Sequence, residues 1–272
     1  MDFFYVNFLK GLQQKQIQYL EIKDIKKLLG PLSRMYHSKM ILSFYLPKVA
    51  SSFLFSTLLE ITKYKAVSLS WGYHHNEQNL DMNQIINTAE HDSLCKLVAK
   101  ATDANVELID LFGFKPIVIT RSLLDILVSL RDHIVNFNNY QWPQLYINQD
   151  FFHFSKEKQY DLIIDRFTPW MIDFLVSWKT YQQQYPDLLW LTYEDICFDL
   201  QATIAKVFEL NKIDISVKNL DQYIKTKHKT LNSYENTFNV GKSGRGKQEF
   251  SDDQLQRIDS FFVHCPELKS YL

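Results

Sequence analysis

The sequence predicts an α/β fold, a three-layer arrangement of a mostly parallel β-sheet flanked by helices. Two observations predict it. Continuous apolar, β-prone runs at residues 40–46 and 115–120 read as strands buried on both faces. Each is followed directly by a segment with helical spacing of its apolar residues, and strands alternating with helices make a parallel sheet. The chain has 272 residues, 46% of them hydrophobic and 15% aromatic, enough for one large core in one domain with an appendage.

In chain order, residues 2–29 read as helical, with Phe4, Phe8, Leu12, Ile17, Leu20, Ile25 and Leu28 on recurring faces before Gly30-Pro31. Residues 1–38 are therefore expected to form a helical packing appendage and 39–272 the main domain. The first strand, Met-Ile-Leu-Ser-Phe-Tyr-Leu, ends at Pro47; a loop carrying Lys48, Val49, Ala50, Ser51 and Ser52 leads into a helix bearing Phe53, Leu54, Thr57 and Leu58. A helix opening at Ser51 would aim its unpaired N–H groups and positive dipole end at that loop, where Lys48 adds a charge and the serines add donors. Such a site suits a phosphate. The same residues equally describe an ordinary turn with Ser51 as the cap.

Residues 65–69 read as a short second strand, and 70–91 as a polar stretch holding Trp71, Gly72, His74, His75, Asn76 and Glu77. Residues 96–99 make a third strand ending at Lys100, residues 105–112 a helix stopped by Gly113, and residues 115–120 the buried strand that Arg121 ends. In the next helix Ser122 and Asp125 form a capping pair, and Leu123, Ile126, Leu127, Leu130, Ile134 and Val135 form the apolar stripe. An aromatic, amide-rich loop is expected over 136–154. A helix over 156–183 carries Trp170, Phe174, Leu175 and Trp178, with a kink expected at Pro169. The last strand, 188–192, precedes Tyr193-Glu194-Asp195 and a helix through residue 210. Three of only seven glycines, Gly241, Gly244 and Gly246, cluster behind a basic segment at 225–229 and mark a second special loop. Ser251 with Gln254 caps a final helix.

Thirty basic and thirty-one acidic residues give a formal charge of −1, so no bulk attraction to nucleic acid or membrane is expected. Cys95, Cys197 and Cys265 are few, odd in number and widely spaced, which fits a reducing, cytoplasmic setting. No run approaches the roughly 20 apolar residues of a membrane span, the first ten residues lack a leader pattern, and no ligand cluster at metal spacing occurs.

Ligands of open parallel sheets bind at the carboxyl ends of the strands, and each expected strand end here carries a polar or cationic residue: Lys48, Lys100, Arg121 and Tyr193. Ser129 follows Arg121 by eight residues, about two helical turns. The sequence equally lets Arg121 pair with Asp125 or Asp132, and Ser129 with a helix carbonyl.

Together these residues resemble the sulfotransferases that use 3′-phosphoadenosine 5′-phosphosulfate (PAPS). The family's Pro-Lys-x-Gly-Thr-Thr-Trp-Leu is matched by Pro47 to Leu54, with Ala50 for Gly, Ser51 and Ser52 for Thr, and Phe53 for Trp. Its Arg and Ser eight residues apart are met by Arg121 and Ser129, its Tyr-Glu-Asp by Tyr193-Glu194-Asp195, and its late glycine loop by the stretch from Gly241 to Lys247. The resemblance implies a P-loop-like sulfotransferase fold, PAPS as donor, PAP as product and no metal. It implies that Lys48, Val49, Ala50, Ser51, Ser52 and Phe53 hold the 5′-phosphosulfate, and that Arg121, Ser129, Gly241, Lys242, Gly244 and Arg245 hold the 3′-phosphate. Tyr193 would lie against adenine, and Lys100 would stand beside the transferred sulfate.

Where many members follow that lysine with a basic histidine, this chain has Thr102. The base is left among Glu77, ranked first, and His75, His91 and Asp103. The late loop also has Asn239 for Arg and Gly246 for Trp, leaving Arg245 or Lys242 to supply the charge. The acceptor is expected to be a small molecule or glycan, with aromatics at 71–73 and 140–146 available to cover it. Two rivals remain. One is a catalytically inactive PAP-binding protein of the same fold; the other is a P-loop kinase, which lacks support because residues 45–53 contain no glycine and Lys48 precedes the small residues.

Overall fold

The computed structural model describes residues 38–70, 79–137, 141–142, 145–186, 188–214 and 243–272, with the backbone alone at 141–142 and 145–146. The expected appendage, apart from Ser38, lies outside these residues. So do Glu77, His75, Gly241 and Lys242.

The chain enters the sheet through β1 (Met40–Tyr45) and turns into α1 (Ser51–Thr62); β2 (Lys65–Ala66), α2 (Met82–Thr88) and β3 (Ser93–Leu97) follow. Next come α3 (Asp103–Phe112), β4 (Pro116–Thr120) and α4 (Leu123–Phe137), then the pair β5 (Gln141–Trp142) and β6 (Leu145–Tyr146). A 3₁₀ turn, Gln149–His153, leads to the long α5 (Lys156–Gln184), then β7 (Leu189–Thr192), α6 (Tyr193–Phe198) and α7 (Leu200–Leu210). Beyond residue 242 lie α8 (Gly246–Glu249), α9 (Asp252–Ser260) and a closing 3₁₀ turn, Pro266–Tyr271.

Strands β2, β3, β1, β4 and β7 lie side by side in that order, all parallel, so the expected α/β architecture is the observed one. β1 is central, and the chain runs from it to the edge strand β2, fills in β3 between them, and then crosses to β4 and β7 on the other side. The order therefore reverses around β1, and its carboxyl end is where such sheets place a ligand. Every residue of β4 is buried, as its continuous apolar run requires. Behind the sheet, the fully buried Trp178 of α5 packs on Phe44 of β1 at 4.4 Å between ring centroids.

Several boundaries differ from expectation. β2 has two residues because it is an exposed edge, although Val67 N–H still bonds Leu94 C=O at 3.1 Å. β3 begins at Ser93, three residues before the apolar run suggests, and Val98 and Ala99 extend the run past the ladder. The stretch read as merely polar contains α2, capped by Asp81 on Gln84 N–H at 2.9 Å, with Ile85 and Ile86 as its buried apolar pair. Residues 136–154 hold the end of α4, the β5–β6 pair and a 3₁₀ turn where a plain loop was expected.

Candidate active site at the carboxyl end of the central strands

Lys48 and Ala50 both take left-handed backbone conformations, φ 62° and 61°, so the loop after β1 coils tightly into α1. Ala50, not Ser51, is the N-cap, and no side chain caps the first turn; the reading of Ser51 as a cap is thereby corrected. A helix N-terminus without a side-chain cap is an arrangement that receives anions. Val49 is fully buried, whereas Ser52 is exposed. Lys96 of β3, which lies outside the sequence motifs, donates to the Ser52 hydroxyl at 2.7 Å. It lies over the Tyr45 and Phe55 rings, and burial lowers its pKa to about 8.

Arg121 leaves β4 beside this loop and is 8% exposed. Its Nη1 donates to the Lys48 carbonyl at 3.1 Å, its Nη2 stands 3.7 Å from Asp125, and its guanidinium stacks 3.9 Å from the Tyr193 ring centroid. Of the two carboxylates open to it from sequence, Asp125 is the one engaged here. Ser129 is buried two turns along α4. Tyr193 is likewise buried, and burial, followed by a hydrogen bond with Cys197, pushes its phenol above the usual range. The rest of its tripeptide has separate tasks. Glu194 accepts from Ser243 of the glycine loop at 2.7 Å, and Asp195 closes a capping box with Thr192.

The glycine loop is tied down by Asp125, whose carboxylate accepts from Gly244 N–H at 2.7 Å and Gly246 N–H at 2.9 Å. Gly244 has φ 85°, a conformation that favours glycine. The capping pair is therefore only half present: Ser122 accepts from Asp125 N–H at 3.5 Å, while the Asp125 carboxylate serves a loop far along the chain. Arg245 is paired with Asp132 at 2.9 Å and stands 4.0 Å from Glu249, so its charge is already balanced.

Lys48 Nζ lies 3.4 Å from Nδ1 of His133, a residue of α4 that sequence reading did not single out. Burial, then the Arg121 charge, lowers the Lys48 pKa to about 8 against an opposing pull from Asp132. Burial, then Lys48, lowers that of His133 to about 4. Lys100 is three residues past Leu97, the partner of Phe44, and stands 3.8 Å from Asp173. Its backbone is pinned on both sides, by Trp178 Nε1 donating to Ala99 C=O at 3.0 Å and Ala101 N–H donating to Ser177 Oγ at 3.0 Å.

Thr102 is the N-cap of α3 and accepts from Asn105 N–H at 3.4 Å. The cap assigned to Asp103 is thus Thr102, and Asp103 is an exposed residue of the first turn. His91, one of the base candidates, precedes β3 at the amino end of the sheet, beside Ser38, Lys65 and Asp92, opposite the end that carries Lys48. Among the described residues no group of His, Cys, Asp and Glu could hold a metal ion, and no helix is long and apolar enough to cross a membrane.

Residues 112–269, more than half of the chain, match the family model of the sulfotransferase domain. No curated protein matches significantly. Among solved structures, that of mouse sulfotransferase SULT7A1 complexed with PAP is similar over 90% of this chain and 93% of its own, at 16% identity and a TM-score of 0.60. A retinol dehydratase in complex with androsterone and inactive cofactor PAP is similar over 85% of this chain and 80% of its own, at 16% identity and a TM-score of 0.53. At such identity these likenesses are of fold, and they agree with the parallel sheet described above. With the domain match over the residues that carry Arg121, Tyr193 and the glycine loop, the chain belongs to the sulfotransferase family.

Proposed function

We propose that the protein moves a sulfuryl group from PAPS to a hydroxyl or amine of a small-molecule or carbohydrate acceptor, releasing PAP. The observation that carries this reading is the junction of Lys48 and Arg121: two cationic side chains from adjacent strand ends, joined through the Lys48 carbonyl, beside an uncapped helix N-terminus. Such an array fits a nucleotide with phosphates at two positions. Lys48 and the first turn of α1 would hold the 5′-phosphosulfate. Arg121, Ser129 and the glycine loop with Gly244, Arg245, Gly241 and Lys242 would hold the 3′-phosphate, with Arg245 having to exchange its Asp132 partner. Tyr193 would lie against adenine, and Lys100 would meet the transferred group. Sulfuryl transfer asks for in-line placement and positive charge at the leaving oxygen, which Lys48 would supply.

A reducing, cytoplasmic setting goes with this reading, supported by three unpaired thiols. Thr102 serving as a helix cap favours one second reading, a PAP-binding protein without turnover. Thermal melting tests the first claim: saturation a hundredfold above Kd stabilises by about 2.7 kcal/mol, so PAP should raise Tm and ATP should do so less. No shift at millimolar PAP would sink the donor assignment. Turnover against a panel of phenols and sugars separates enzyme from binder.

A further inference from the structure

We infer that His133 is the base that takes the acceptor's proton, filling the role for which Thr102 is chemically unfit. The inference rests on the sulfuryl-transfer reading above and adds a residue that the motifs do not contain.

His133 stands one helical turn beyond Ser129 on α4, on the same face at a spacing of four residues. Its Nδ1 is 3.4 Å from Lys48 Nζ. If Lys48 reaches the leaving oxygen, a ring already bonded to Lys48 lies within one side chain's reach of the sulfur. The imidazole is only partly buried, and its neighbour Phe137, 4.7 Å away between centroids, is 51% exposed. An exposed aromatic face beside a base is a fitting place for an apolar or aromatic acceptor ring. Among the described residues, the charged groups beside it include Lys48 from the β1 loop and its α4 neighbour Asp132, which is tied to Arg131 and to Arg245 of the glycine loop.

The ring is neutral at pH 7, because burial and Lys48 hold its pKa at about 4. A neutral ring has a lone pair, here engaged by the Lys48 ammonium. When Lys48 turns to the donor's bridging oxygen, that lone pair is released and the anion offsets the lysine charge, raising the ring's basicity. The acceptor oxygen then forms its bond to sulfur while its proton passes to Nδ1. The bond from sulfur to the 5′-phosphate oxygen breaks, its electron pair stays on that oxygen beside Lys48, and the imidazolium later loses its proton to water. The base thus becomes available only once Lys48 has engaged the donor.

The test uses the full chain with His133→Ala and His133→Asn, read by PAP-induced melting shifts, by turnover with a phenol and sugar panel, and by rescue with added imidazole. A positioned base is typically worth about 10²- to 10⁴-fold. Turnover should fall by that order, the PAP shift should survive, and imidazole should restore part of the rate to His133→Ala, which a purely structural role would not allow. ¹⁵N-imidazole NMR should show a higher His133 pKa in Lys48→Met than in the unsubstituted chain. Near-parental turnover in both variants overturns the inference, as does a loss that imidazole does not touch. Near-parental turnover in them alongside a collapse in Glu77→Gln moves the base to the segment after β2. Absence of a PAP shift in the unsubstituted chain instead overturns the donor reading itself.

Discussion

A Cβ added to Gly246 would lie 2.3 Å from Cβ of Leu124 and 2.6 Å from the Leu124 carbonyl carbon. The glycine loop therefore rests directly on the first turn of α4, and the two N–H bonds to Asp125 hold it there. The close approach explains why a large residue cannot occupy this position. Gly246→Ala should destabilise the protein by about 1–3 kcal/mol, the usual range for overpacking a filled contact, seen as a lower urea midpoint at unchanged slope. PAP should stabilise the variant less than the parent. An unchanged midpoint would show that the loop lifts off α4 at little cost.

Ala50 bears a strain that the family's glycine would not. An L-residue at φ 61° carries roughly 1–2 kcal/mol of steric cost, partly offset because alanine loses less backbone freedom on folding than glycine does. Ala50→Gly should consequently stabilise the folded chain by up to about 1 kcal/mol, or a few degrees in Tm, and keep PAP binding. A clear loss of stability would mean that alanine's methyl group makes packing contacts worth more than the strain.

Arg121 joins scaffold and site. Its bond to the Lys48 carbonyl is charge-assisted, a class worth about 1.5–3 kcal/mol, and its stacking on Tyr193 adds to it. Arg121→Ala should lower stability by that order even without ligand. It should also weaken PAP more than adenosine 5′-phosphosulfate, which lacks the 3′-phosphate, since that contact is lost only where its partner exists. Equal losses by calorimetry would assign Arg121 to holding the Lys48 loop alone.

What the sequence made legible is what local pattern encodes. The strands around residues 40–46, 115–120 and 188–192, Gly113 ending α3 in the left-handed region, and the Ser251–Gln254 capping box are all read from residues within a few positions of each other. Helix α2 escaped because two buried isoleucines in seven residues make no visible period. Asp125 shows the harder limit. Its spacing to Ser122 is that of a cap, but its carboxylate is spent on backbone N–H groups some 120 residues away, a choice fixed by where the glycine loop packs. His133 is the same case. Along the chain it is one polar residue on the flank of an apolar stripe; only the left-handed turn at Lys48 brings an ammonium to its ring.

That ammonium sets the pH behaviour. Burial and the Arg121 charge hold the Lys48 pKa near 8 in the folded protein, below the ordinary 10.5 that it regains on unfolding. Between those values the unfolded chain binds more protons than the folded one, so this group makes ligand-free stability rise as pH climbs from about 8 to 10.5. PAP binding should respond in the opposite sense, because the charge that meets the phosphate is lost over the same window. PAP affinity should thus fall above about pH 8, while a bound phosphate dianion raises the lysine pKa and moves the corresponding limb of kcat to higher pH than that of kcat/KM. Lys48→Arg, whose guanidinium stays protonated throughout, should flatten the affinity profile even if its geometry lowers the rate. Calorimetric titrations from pH 6.5 to 9.5 decide it. A fall in PAP affinity that persists unchanged in Lys48→Arg would place the titrating group elsewhere, with Lys96, also held near 8 and bonded to Ser52, the next side chain to replace.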